Sequence, residues 1–341
     1  MAAPSIILPA KKRIVLDATM LSTIMGCGRL TDFRFNHNLI SINGKSNSLE
    51  CGSIVHKYME VYYGAIINGF SKSQAHGMGM VAAELYARGC PYCKDFEPKC
   101  NIQQDETKET HKHNINCELK PRCGHKVNEY EGVRNTPYEP EKQYQIGWKW
   151  VLETCEQYNA YYKNDYWVPL EVEIVKGKIL YEDDEIVILW KSKIDLVTDT
   201  NQAILPCDHK TMKQRRDTMS LNNQFMGQCL TQGTRQVIIN KVGFQTTLKP
   251  EEKFLRDGSI SYSAARLLEW QGTILPYWAY KLLDYQENDY WPPNFDHCEN
   301  KYGNCPFAED VCPADPGERE REIKLNFMVG PDWNPTNEGD E

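Results

Sequence analysis

The stretch from Trp167 to Lys210 limits most what this chain can fold into. VPLEVEIV, residues 168–175, alternates apolar and polar side chains, the period of a strand covered on one face. KILYEDDEIVILWKSKIDLVTD, residues 178–199, continues as a hairpin with its acidic turn at 182–185. A short apolar strand, AILPCDHK, follows at 203–210. Then come a helix over about 221–233 and another strand in RQVIINKVGFQTT, residues 235–247. Three strands, a helix and a fourth strand predict an α/β core, a mixed sheet flanked by helices.

Helical spacing supplies the flanks. In residues 51–64 Ile54, Val55, Tyr58, Met59 and Tyr62 recur at three-to-four intervals. In 141–165 Tyr144, Trp148, Val151, Cys155, Tyr158 and Tyr162 form one stripe. Residues 261–286 read as a helix that Pro276 should kink. Between these segments 88–134 is polar, rich in Cys and His and poor in apolar period, as an insertion would be. The expected division is an N-terminal helical part of the core at 14–87, the insertion at 88–134, the remaining core with a C-terminal cysteine cluster at 135–312, and a polar acidic tail at 313–341.

A net charge of −8 argues against a protein that coats nucleic acid indiscriminately, but it suits a site that gathers carboxylates around a cation. Thirteen cysteines form an odd set. No long apolar run follows Lys11, Lys12 and Arg13, so neither a secretory signal nor a membrane span is expected. The expectation is a cytoplasmic, reducing compartment, where clustered cysteines bind metal more often than they form disulfides.

Chemistry concentrates in the third strand. Side chains two apart on a strand share a face, so Asp208 and Lys210 point one way and His209 the other. A carboxylate that holds a divalent cation beside an ammonium that steadies phosphate charge suits phosphodiester hydrolysis. Thirteen residues upstream, Asp195 in KIDLV falls near the end of the preceding strand, where antiparallel pairing would set it beside Asp208. His56 and Glu60 share a helical face, and the histidine adds a nitrogen ligand suited to manganese as well as magnesium. Gln224 follows in NNQFMGQCL.

This ordered set, Gly52-x-x-x-His56-x-x-x-Glu60, Ile194-Asp195, Asp208-x-Lys210-Thr211 and Gln224, resembles the PD-(D/E)XK (restriction-endonuclease-like) nucleases, in particular the RecB-like and CRISPR-adaptation-type iron–sulfur exonucleases. The resemblance runs from Cys27 to Cys312, apart from the insertion. It departs from the family at Gln228, where a tyrosine is common, and in lacking a proline just before Asp195. It implies a DNA exonuclease with His56, Asp195 and Asp208 as Mg2+ or Mn2+ ligands, Lys210 as the catalytic lysine and Gln224 near the scissile phosphate. The competing reading is a non-catalytic DNA-binding or recombination accessory protein on the same fold. A redox sensor is a third.

Cys298, Cys305 and Cys312 stand at two equal intervals, and Cys27 sits far upstream. One distant cysteine with three late ones is the arrangement of the iron–sulfur nucleases that this chain resembles, where a 4Fe-4S cluster staples the ends of the fold. Four thiolates equally suit structural zinc, and spacing alone does not choose. In the insertion Cys90-x-x-Cys93 is a zinc half-site. Cys117 and Cys123 are the chosen partners among several candidates, Cys100, His111, His113 and His125 included. Lys213, Arg215 and Arg216, just past the lysine strand, form a basic cluster able to grip phosphates of DNA ends or single strands without reading sequence. The aromatics Tyr161, Tyr162, Tyr166 and Trp167 are candidates for base stacking.

Overall fold

The hairpin of residues 168–199 is the axis of the sheet. The computed structural model describes residues 11–41, 47–88, 102–104, 111–113, 148–212, 221–244, 248–300, 303–330 and 332–333. Its principal elements are β1 (Lys12–Leu16), α1 (Ala18–Gly26), α2 (Asn47–Ile67), α3 (Lys72–Arg88), α4 (Trp148–Tyr161), β2 (Val168–Glu182), β3 (Ile186–Asp199), β4 (Ile204–Met212), α5 (Asn223–Gln232), β5 (Gln236–Gly243), β6 (Phe254–Ser261) and α6 (Leu275–Glu287). The class is α/β, with a mixed six-stranded sheet flanked by helices. No described helix is long and apolar enough to cross a membrane.

The sheet runs β1–β3–β4–β5–β6, with β2 along the other side of β3. The β1–β3 and β4–β5 pairs are parallel and the others antiparallel. Asp183 closes the hairpin turn. Its Oδ1 accepts from the N–H groups of Glu185 and Ile186, both at 2.9 Å, and its Oδ2 from the hydroxyls of Tyr181 and Tyr280. Led by the Ile186 N–H, these bonds hold the carboxyl well below its usual range. On one sheet face Ile54, Val55, Tyr58 and Met59 of α2 pack with Val151 and Tyr158 of α4 over Cys207, Ile238 and Val242. On the other, Leu21, Phe225, Leu275 and Leu282 close around Trp190 and Trp270.

The sequence expectations meet this fold unevenly. The 51–64 helix extends to Asn47–Ile67, and Tyr144 of the second stripe lies outside the described residues. The 261–286 helix runs unbroken from Ala264 to Glu287, with a change of winding inside it. Residues Trp270–Ile274 widen into a π turn, and Pro276 sits in the first turn of α6. Proline cannot donate to the preceding turn, and the wider turn accommodates the missing bond. Residues 313–341 are not simply a tail. Arg319–Asn326 is helical, and Phe327–Val329 pairs antiparallel with Leu39–Ser41. Phe327 stacks on Phe307, which meets Phe33, so aromatic burial docks the C-terminal segment on the turn at Asp32–Asn36. Each such ring is worth roughly 1.5–3 kcal/mol. Of the insertion, Ile102–Gln104 pairs with His111–His113. Residues 334–341 lie outside the described residues.

Gly227 shows how tightly α5 seats on the sheet, since a methyl there would collide with the Trp190 indole. Gly227→Ala should therefore lower stability by roughly 1–3 kcal/mol through overpacking. Gly272→Ala, where a methyl meets nothing within 4 Å, should not fall below the parent. Thermal denaturation of both variants checks the contrast.

Candidate active site

A fork in the sheet makes the site. On one side β3 pairs with β1 from Ile186 to Trp190 and with β4 from Leu196 to Asp199. Across residues 191–195 neither strand reaches it. Backbone groups facing such a gap need other partners, and two side chains provide them. The Asp195 carboxylate accepts the His209 N–H through Oδ2 at 2.7 Å, and the Gln228 amide donates to the Lys193 carbonyl at 3.3 Å. The fork thereby sets Asp195 beside the Asp208 strand, as the antiparallel register anticipates.

Two more ligand candidates close on Asp195. The β2–β3 register, Val172↔Leu196 and Ile174↔Ile194, puts Glu173 directly opposite Asp195. Glu173 has φ +49°, an uncommon and costly conformation for a residue with a side chain inside a strand. From α2, His56 Nδ1 lies 3.6 Å from Asp195 Oδ2. Gly52 permits that approach, because a methyl there would sit 3.0 Å from Thr211 Oγ1 on β4. His56, Glu173 and Asp195 each present a ligand atom within 4.8 Å of the other two. Burial, offset by His56 and reinforced by Asp208 and Glu173, raises the Asp195 carboxyl above the ordinary range. This His/Glu/Asp cluster is able to hold a metal ion.

Asp208 lies next to that cluster but not within it. It is buried, and Lys210 Nζ stands 2.6 Å from its Oδ2. Its Oδ1 accepts from Gln224 Nε2 at 2.6 Å and from Gln228 Nε2 at 3.4 Å. Gln224 also accepts from Lys210 Nζ at 3.1 Å, closing a ring of acid, lysine and amide. Gln228, standing where the family often has tyrosine, thus bridges β3 and β4. His209 turns to the opposite face, against Tyr63, where burial keeps the ring neutral. Asn240 Nδ2 joins His209 Nδ1 to Tyr158 Oη.

The cysteines come together away from the fork. Cys27, Cys298, Cys305 and Cys312 line one cavity with Leu30, Phe33 and Phe307, and all four are free thiols. Burial first, then the neighbouring thiols, push Cys298 and Cys305 up. The segment carrying Cys298 docks onto the Cys27 turn through hydrogen bonds. Asn294 donates to the Gly26 carbonyl at 2.8 Å, and Arg29 N–H to the Pro292 carbonyl at 3.2 Å.

Among residues that the sequence singles out, Cys90, Cys93, Cys117, Cys123, Lys213, Arg215 and Arg216 lie outside the described residues. Tyr162 and Trp167 clasp the Arg256 guanidinium, each at 3.7 Å, so those two faces are taken, while Tyr161 and Tyr166 are exposed. Glu173 and Gln228 were missed. The alternation in VPLEVEIV was the one signal pointing to Glu173.

The raised Asp195 carboxyl gives a signed prediction for the cation-free protein. Its folded state prefers the proton, so the charge costs stability once pH passes the unfolded carboxyl range, and the full cost is present above the raised folded value. In chelator, Asp195→Asn should be more stable than the parent at pH 8 and nearly equal to it at pH 4. Chemical denaturation at the two pH values measures this, and a variant weaker than the parent at pH 8 would contradict it. No protein-family model matches this chain, and no curated protein matches it.

Proposed function

We propose that this protein is a divalent-metal-dependent DNA nuclease on a RecB-like PD-(D/E)XK core. The observation that carries the reading is convergence. His56 of α2, Glu173 of β2, Asp195 of β3, Asp208 and Lys210 of β4 and Gln224 of α5 meet at one fork in the sheet. Together they supply nitrogen and carboxylate ligands beside an ammonium.

The donor set fits a hard divalent cation, magnesium or manganese, held by His56, Glu173 and Asp195. Such a cation supplies Lewis-acid polarisation of the phosphodiester and a more acidic water nucleophile. The remaining work belongs to the chain. Asp208 and Gln224 hold the Lys210 ammonium in a fixed place, where it offers a donor to the attacking water and to charge developing on the phosphate. Gln228 keeps Asp208 from turning away. The half-exposed His56 and Lys210 face the open side of the fork.

The four thiols fit an iron–sulfur cluster better than zinc. With Zn–S bonds of about 2.3 Å, zinc draws its sulfurs to roughly 4 Å of one another. Among the described residues the His56–Glu173–Asp195 set is the one group of three or more such ligands within 4.8 Å of one another, so no three of these sulfurs are gathered that closely. Aromatic docking already brings the C-terminal segment to Cys27, and a cluster would lock that closure.

Two experiments test the proposal. End-labelled DNA incubated with the protein and Mn2+ should be digested. Asp195→Asn and Glu173→Gln should abolish cutting, and Lys210→Ala should slow it by about 10^2–10^3. A parent protein that binds DNA in Mn2+ without cutting it would instead favour the non-catalytic accessory reading. Anaerobically purified protein should be brown and contain iron and sulfide, with Cys305→Ala bleached. Zinc in place of iron in elemental analysis would reject the cluster.

A further inference from the structure

Lys193 is a cation at the fork to which the proposed chemistry assigns no task. It stands two residues before Asp195, and its Nζ lies 2.9 Å from Glu173 Oε2, with the lysine side chain 52% exposed and the glutamate 20%. The acids facing its ammonium are Glu173, Asp195 and Glu60. Glu60 is itself paired with Lys57, at 3.1 Å. The Lys193 carbonyl is held by Gln228, so the ammonium can move without the strand moving.

Glu173 therefore serves two masters. It pairs with Lys193, and it is one of three ligand atoms converging with His56 and Asp195. A divalent cation on that carboxylate places like charge against the ammonium, and repulsion favours the lysine swinging away. Its exposure leaves one direction open, outward to the mouth of the fork, where a phosphodiester must approach.

We propose that Lys193 changes partners: it neutralises Glu173 in the cation-free protein and takes a backbone phosphate of bound DNA once a divalent cation occupies His56, Glu173 and Asp195. This rests on the metal-nuclease reading and adds to it a coupling between cation and DNA. Because coupling free energies are reciprocal, cation strengthens DNA binding by the factor by which DNA strengthens cation binding. The lysine also guards an empty site against its own self-repulsion.

The test separates this role from an ordinary surface ion pair. In calorimetry with Mn2+ alone, Lys193→Met should bind the ion more tightly than the parent, by up to about fivefold, the equivalent of one half-exposed pair lost as competitor. Lys193→Arg should stay near the parent. DNA binding is then measured by anisotropy against salt in a Lys210→Ala background, which slows cutting. Adding Lys193→Met should reduce the salt slope by about one in Mn2+ and leave it unchanged in chelator. Mn2+ binding that weakens or stays the same in Lys193→Met overturns the proposal. So does a slope that falls equally with and without the ion. Failure of the parent to bind Mn2+ would instead remove the metal reading beneath it, and Glu173→Gln, which should lose Mn2+ whatever Lys193 does, keeps the two failures apart.

Discussion

The His209 N–H, left without a strand to bond, and the Asp195 carboxylate that receives it are what the site is built around. β3 pairs through its first five residues with β1 and through its last four with β4. The intervening gap would leave a buried donor unsatisfied, at a cost of about 1–3 kcal/mol. Asp195 fills it at 2.7 Å. The same bond fixes where the carboxylate points, and so where His56 and Glu173 must meet it. Gln228 performs the matching service for the Lys193 carbonyl while touching Asp208. Backbone satisfaction and ligand placement are one arrangement.

That arrangement is costly without a cation. Three acids, Glu173, Asp195 and Asp208, lie close together, and burial first, with Asp208 and Glu173 adding to it, raises Asp195. Each acid is partly compensated: Glu173 by Lys193, Asp208 by Lys210 and Gln224, Asp195 by a backbone N–H and His56. Glu173 adds a positive φ inside a strand. Strain and crowded charge of this kind persist where the surrounding structure over-determines them. Here a hairpin on one side and packed α2 on the other do so.

How much of this was legible follows from sequence distance. Asp208 and Lys210 are two apart on one strand, so their shared face needed only the period of a strand. Asp195 followed from a single antiparallel step, and His56 from a helix with clear apolar spacing. Glu173 did not follow. Counted from the Glu182↔Val187 end of the hairpin without interruption, it would stand opposite Leu196. An irregularity between Ile179 and Tyr181 shifts the register by one and brings Asp195 opposite instead. A one-residue slip exchanges the faces of every side chain beyond it, and nothing local in the sequence marks this one. α3 falls within the helical part expected at 14–87, though Gly77 and Gly79 interrupt its pattern and hide its bounds. Gly79 is there because Tyr58 packs 3.0 Å from where its methyl would be. β6 carries Gly258 and few apolar residues and pairs in the sheet with β5 alone. The gathering of Cys27 with Cys298, Cys305 and Cys312 was legible as a pattern. The aromatic docking beneath it, Phe33 on Phe307 on Phe327, joins residues nearly three hundred apart and was not.

The central claim is that the cation belongs to His56, Glu173 and Asp195, with Asp208 reserved for Lys210. Crystals soaked in Mn2+ and measured at the manganese absorption edge test it most directly. The account predicts an anomalous peak bonded to His56, Glu173 and Asp195, with Lys193 turned away from Glu173. A peak between Asp195 and Asp208, with Lys193 still paired to Glu173, would contradict it.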